Sequence, residues 1–184
     1  MRLLSLLTAL VGAPLLAQNG SLNDLEGYFA MHAAGATWIA PTTGRESWQV
    51  EVNGVLVTKF IAVDGTETYS AEDISGLPSP ICAATWLTQA QSFATNCAAG
   101  AIIDESALAV MSDKTFAFIA GNAFPPLDAE GLAAAFRAII ATRLRDEAFL
   151  CEALAPYAPI FGSVETLARE AISQPRLPVA AECS

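Results

Sequence analysis

Histidine and lysine are almost missing from this chain. One histidine, His32, and two lysines, Lys59 and Lys114, stand among 184 residues. A lone histidine excludes His-x-x-x-His zinc sites, and the four cysteines contain no C-x-x-C pair, which leaves no recognisable metal set. The C-x-x-C-H of haem attachment, the Asp-x-Asp-x-Asp-Gly of a calcium loop, the glycine-rich phosphate loop and the dinucleotide fingerprint are missing as well. So is the Gly-x-Ser-x-Gly turn of a serine hydrolase. No cofactor and no metal are therefore expected. No basic run occurs, and 9 Lys+Arg face 19 Asp+Glu for a net charge of −10. Phosphate backbones and anionic lipid repel such a chain, so no nucleic-acid partner is expected. With 53% hydrophobic and 15% charged residues it is not a disordered sequence, and its length suits one ordinary core.

What is present begins with a leader pattern. Met1-Arg2 is a short positive start, Leu3 to Leu16 is an apolar run, and Ala17 precedes polar Gln18-Asn19-Gly20. That is the order of a secretory signal peptide, with cleavage expected after Ala17. A run of about 14 residues is too short to span a bilayer. No later stretch is long enough to do so, and no cysteine follows the run to carry a lipid. Abundant alanine and a preference for arginine over lysine suit a GC-rich bacterial genome. The expected organisation is a signal peptide over 1–17 and a single α+β domain over 18–184. The expected location is the periplasm or the bacterial exterior.

Helical spacing of Leu22, Leu25, Phe29 and Ala33 after a Ser21-to-Asp24 capping box predicts a helix over 22–34. Residues 47–52 then alternate polar and apolar. Asn53-Gly54 is a tight hairpin signal, residues 55–63 alternate again, and Asp64-Gly65 leads to a third strand over 66–69. Thr37-Trp38-Ile39 adds a candidate edge strand. Ser79 as N-cap and Pro80 at the first turn open a helix with Cys82, Trp86, Ala90, Phe93 and Cys97 on one stripe, and Gly100 stops it. Residues 107–111 and 115–119, flanking Ser112-Asp113-Lys114, read as a second hairpin. Asp128 caps a long helix striped by Leu132, Phe136, Ile139, Ile140 and Leu144. Short helices around 146–155 and 164–173 precede an irregular tail from about 174. Antiparallel sheet plus segregated helices defines an α+β domain, a three-strand meander plus hairpin packed by helices with a helical C-terminal extension. Over roughly 22–145 this element order resembles the type III secretion chaperone-like fold, also adopted by bacterial sensory-transduction-regulator domains. The likeness is of order alone and carries no residue roles.

Candidate chemistry is sparse. His32 would have to serve any Ser-His-Asp or Cys-His site, yet its place beside Leu25 and Phe29 reads as a packed helix-edge ring. Asp104-Glu105, expected in the loop before the hairpin, and Asp146-Glu147 are carboxylate pairs of the kind a glycosidase sets across a cleft. Adjacent acids are more simply solubility, and Arg143 with Glu147 at i,i+4 reads as a surface ion pair. Trp48 and Trp86 fall on apolar stripes and read as core, which leaves Trp38 as the candidate exposed aromatic. Catalytic residues are unassigned. The expectation is an exported binding or accessory protein, chaperone-like, inhibitory or part of an envelope interaction, with a protein or small molecule of the cell envelope as partner. A small periplasmic hydrolase using carboxylates or His32 is the alternative.

The cysteines permit a sharper expectation. Cys82, Cys97, Cys151 and Cys183 all follow the leader, and an even number in an oxidising compartment predicts two disulfides. Fifteen helical residues separate Cys82 from Cys97 by about 22 Å, whereas a disulfide needs Cα atoms within about 7 Å. Each therefore meets one of Cys151 and Cys183, in an order the sequence leaves open.

Overall fold

The computed structural model describes residues 22–41, 45–97, 104–143, 147–179 and 183, with the side chains of 143 and 147–150 outside the description. The expected leader, Gly100, Leu144, Asp146 and the Arg143–Glu147 pair lie outside the described residues or side chains.

The chain is an α+β domain. Helix α1 (Leu25–His32) runs into a 3-10 turn, Ala33–Gly35, and then into strands β1 (Thr37–Ile39), β2 (Glu46–Val52), β3 (Val55–Ile61) and β4 (Glu67–Asp73). They form one antiparallel sheet in the order β1-β2-β3-β4. The helices follow: α2 (Pro80–Asn96), α3 (Glu105–Asn122), α4 (Ala129–Arg143), α5 (Glu147–Leu154), the single turn α6 (Ala158–Phe161) and α7 (Val164–Ala171).

Turn chemistry sets the sheet. Asn53 (φ 51°) and Gly54 (φ 75°) are both left-handed, as a two-residue hairpin whose twist matches its strands requires. Gly65 (φ 83°) closes the next turn, where the Asp64 carboxylate accepts from the Thr66 N–H at 2.9 Å. The meander is thus as expected, Thr37-Trp38-Ile39 is its edge strand, and β4 is longer than expected at Glu67–Asp73.

The expected second hairpin over 107–119 is instead the interior of α3. Leu108, Met111, Thr115, Phe116 and Ile119 are buried at spacings of three, four, one and three, a helical stripe that includes polar Ser112 and Thr115. Polar Ser112, Asp113 and Lys114 interrupt the apolar pattern and imitate a turn. In the helix buried Thr115 is accommodated, with its hydroxyl bonded to the Met111 carbonyl at 2.8 Å. With a helix in place of that hairpin, the element order departs from the chaperone-like one. Helix α1 also begins later than residue 22. Asn23 is buried and holds the Pro178 carbonyl at 2.7 Å while accepting from the Phe124 N–H at 3.0 Å, so Asp24 becomes the N-cap.

Two bodies of packing result. Helix α2 is buried on all sides, with Ile81 and Ala84 against Phe116, Ala133 and Phe136, and Cys82, Ala83, Trp86 and Leu87 against Phe161, Val164, Ala168 and Ala171. Ala168 and Ala171 let α7 approach closely. Cys82 is bonded to Cys183 and Cys97 to Cys151, which supplies the order that the sequence left open. The sheet packs one face, through Val50, Val55 and Val57, on Tyr28 and Phe29 of α1 and on Leu177 and Val179 of the tail. Among its described residues that tail carries no helix or strand, yet residues 176–179 are buried. Arg176 is its key: its guanidinium meets Asp73 at 2.7 Å and donates to the carbonyls of Ala171 and Pro78.

Candidate functional site

A side-by-side row crosses the whole sheet. Trp38 pairs with Trp48, Trp48 with Lys59, and Lys59 with Tyr69, so the four side chains share one face in register. It is the same face that carries Val50 and Val57, but α1 packs on its β3 and β4 side, where Phe29 lies against Tyr69, and leaves the Trp38–Trp48 end uncovered. Trp38 is therefore 48% exposed and Trp48 37% exposed. Trp38, the candidate exposed aromatic, is open. Trp48, expected in the core, is exposed because alternation identifies the apolar face but not how far a helix covers it. Trp86 is buried, as expected.

The row is charged at its centre. The Lys59 ammonium lies 2.6 Å from Glu67 and 6.0 Å from the centroid of the Tyr69 ring, and the Tyr69 hydroxyl donates to Glu67 at 2.8 Å. The hydrogen bond to Glu67 raises the pKa of Lys59, and the same bond with that from Tyr69 lowers the pKa of Glu67. Burial and the bond to Glu67 raise that of Tyr69, with Glu26 of α1 adding a smaller push. Tyr69 also packs on Phe29 and lines an open cleft of about 570 Å³ with residues 22–26, Pro125 and Leu127. Sequence reasoning missed Lys59, Glu67 and Tyr69, although Lys59 signalled itself as the one break in its strand's alternation.

The other candidates do not converge. His32 packs against Tyr28 with ring centroids 4.7 Å apart and the planes tilted by 51°, and makes no hydrogen bond among the described residues. Asp104 is not in a loop before a hairpin but is the N-cap of α3, accepting from the N–H groups of Ser106 and Ala107. Bonds from the Ser106 hydroxyl and the Ala107 N–H lower its pKa, as a cap requires of its carboxylate. Among the described residues, no group of three His, Cys, Asp or Glu side chains gathers to hold a metal ion. Within the same residues, no helix is long and apolar enough to cross a membrane. Comparison with known protein families, characterised proteins and solved structures gives no match.

Proposed function

We propose that this chain is an exported binding or accessory protein of the bacterial cell envelope, and that the open end of its sheet is the contact surface. The observation that carries this reading is the Trp38–Trp48 pair, two indoles adjacent on neighbouring strands and both solvent-exposed. Trp and Tyr offer large rigid contact area at low entropic cost and concentrate the energy of interfaces. Two disulfides and the leader pattern support an oxidising compartment. No observation favours the hydrolase alternative, since among the described residues His32 meets no hydroxyl, thiol or carboxylate within hydrogen-bond reach and Asp104 is engaged in capping its own helix.

The test presents immobilised protein to an envelope extract, alongside a W38A/W48A variant. A ligand is expected to be retained by the first and reduced by about tenfold or more with the second, at unchanged helix content. Retention of nothing, or equal retention by both proteins, contradicts the proposal.

A further inference from the structure

We propose that the outer edge of β4 docks an extended, lysine- or arginine-bearing peptide, which adds to the sheet as a fifth strand. This site lies on the opposite edge of the sheet from the Trp38–Trp48 pair and goes beyond the binding reading above.

In the described structure β4 has a neighbour on one side only. Which of its backbone groups face outward follows from the turn. Val52 and Val55 flank the two-residue Asn53-Gly54 loop, and in such a hairpin the flanking pair exchanges both hydrogen bonds, as does every second pair beyond it. Residues 55, 57, 59 and 61 therefore bond toward β2. Leu56, Thr58 and Phe60 bond toward Glu72, Ser70 and Thr68 of β4. The Ile74 N–H on the Gly54 carbonyl, at 2.8 Å, is the next rung of that series. The N–H and C=O groups of Glu67, Tyr69 and Ala71 are left pointing away from the sheet.

Sheet edges are ordinarily blunted by proline, lysine, a bulge or a covering element. Here the strand Glu-Thr-Tyr-Ser-Ala-Glu-Asp contains neither proline nor lysine, and its register with β3 is unbroken over all seven residues. What it carries is acid. Glu67 and Glu72 are exposed, and Glu26 of α1 stands exposed nearby. Pairing with a second copy would bring together two chains of net charge −10, so the edge selects against itself and toward a cationic partner. Asp73 is already taken by Arg176 and Ser75, and Glu67 by Lys59 and Tyr69, which leaves Thr68 to Glu72 as the open stretch, with Asp24 and Glu26 as the free acids beside the cleft.

The cleft completes the site. A peptide residue opposite Tyr69 shares its face, the side on which the 570 Å³ cleft opens between Tyr69, the start of α1 and Leu127. An aliphatic stem there meets Leu22, Leu25 and Leu127, and its cationic head meets Asp24 and Glu26. Main-chain bonds give such strand addition its affinity, and alternate side chains give it its specificity.

The probe is a labelled peptide of about eight residues alternating lysine with valine, a typical strand length with one charged face. Amide hydrogen exchange at Tyr69 and Ala71 is expected to slow by about tenfold or more on saturation, while Thr68 and Ser70, already bonded within the sheet, stay unchanged. Methylating alternate backbone nitrogens of the peptide, or replacing its lysines with glutamate, is expected to weaken binding by about tenfold or more. Ala71→Pro removes one outward N–H while sparing the ladder with β3, and should weaken binding similarly. Glu26→Lys, on an exposed helix position, gives a second variant with the same expectation should proline disturb the strand. Unchanged exchange at about 1 mM peptide, or binding indifferent to backbone methylation and to both variants, overturns the inference. If an envelope ligand is still lost with W38A/W48A while the Tyr69 and Ala71 amides stay unprotected in its presence, the inference fails and the binding reading survives.

Discussion

Around α2, eleven consecutive residues from Pro80 to Ala90 are buried, whereas along β2 only Val50 is. The bundle has surrounded its central helix with α3, α4 and α7 and fixed both ends of it by disulfides at Cys82 and Cys97. The sheet has one short helix and a strap of tail on one face, and part of that face stays open. Burial removes a surface from use, and incomplete coverage leaves one available. On the proposed reading the bundle is a scaffold and the sheet end a contact surface. The tail joins them: Leu177 and Val179 sit in the sheet core, Arg176 bonds to both bodies, and Cys183 returns the chain to α2.

The comparison breaks most completely at Arg176. Its side chain is fully buried and that of Asp73 is 11% exposed. Removing one partner of a buried pair strands the other, at a cost of about 3–5 kcal/mol. Arg176→Ala is expected to lower stability by that amount in urea unfolding and to raise amide exchange in the sheet more than in α2. Equal loss in both regions would mean that the tail is no hinge between them. Asp113→Pro separates a helix from a hairpin at α3. An exposed proline in mid-helix costs about 3 kcal/mol or more, whereas a turn would accept it, and thermal unfolding decides. Replacing Cys82 and Cys183 by serine opens a link of 101 residues, and is expected to cost about 2–4 kcal/mol and to loosen the tail before the bundle.

Acid should act at the same junction more gently. Burial alone would raise the pKa of Asp73, but hydrogen bonds from Ser75 and Arg176 outweigh it and the net shift is downward. A carboxylate whose folded pKa is lowered contributes stability that is complete above its ordinary value, 3.8, and is lost as pH falls through the folded value. Stability should therefore decline as pH drops below about 4, and Asp73→Asn should flatten that decline. A variant titrating like the wild type would show that this carboxylate does not govern the junction. The smallest effect is expected at the open end. Trp48→Ala should change stability by less than about 1 kcal/mol, since its ring is not enclosed. A larger loss would place Trp48 in a core after all.

Local chemistry made much of this legible. Asn53-Gly54, the alternation around it, the Ser79-Pro80 start of α2 and the Asp128 cap each specify their element through one or two residues, and each lies where expected. The 22 Å separation of Cys82 and Cys97 excluded one disulfide pairing without any tertiary information. The failures share a cause, because each depended on what a distant segment covers. Ser112-Asp113-Lys114 looked like a turn until the bundle buried Ser112 in mid-helix, and Asn23 looked helical until Pro178 and Phe124 claimed its side chain. Trp48 looked buried because its strand alternates, though nothing local says where α1 stops. Arg176, in a proline-flanked tail, gave no signal at all.

A photoreactive amino acid replacing Glu46, two residues from Trp48 on the same face, or separately Arg137, exposed on α4, tests the division of labour directly. Each full-length protein is illuminated with envelope extract and with the lysine–valine peptide. The account predicts discrete adducts from position 46 with an extract component, suppressed by excess unlabelled wild type, and none from position 137. Adducts of equal yield from both positions, or from position 137 alone, would contradict it.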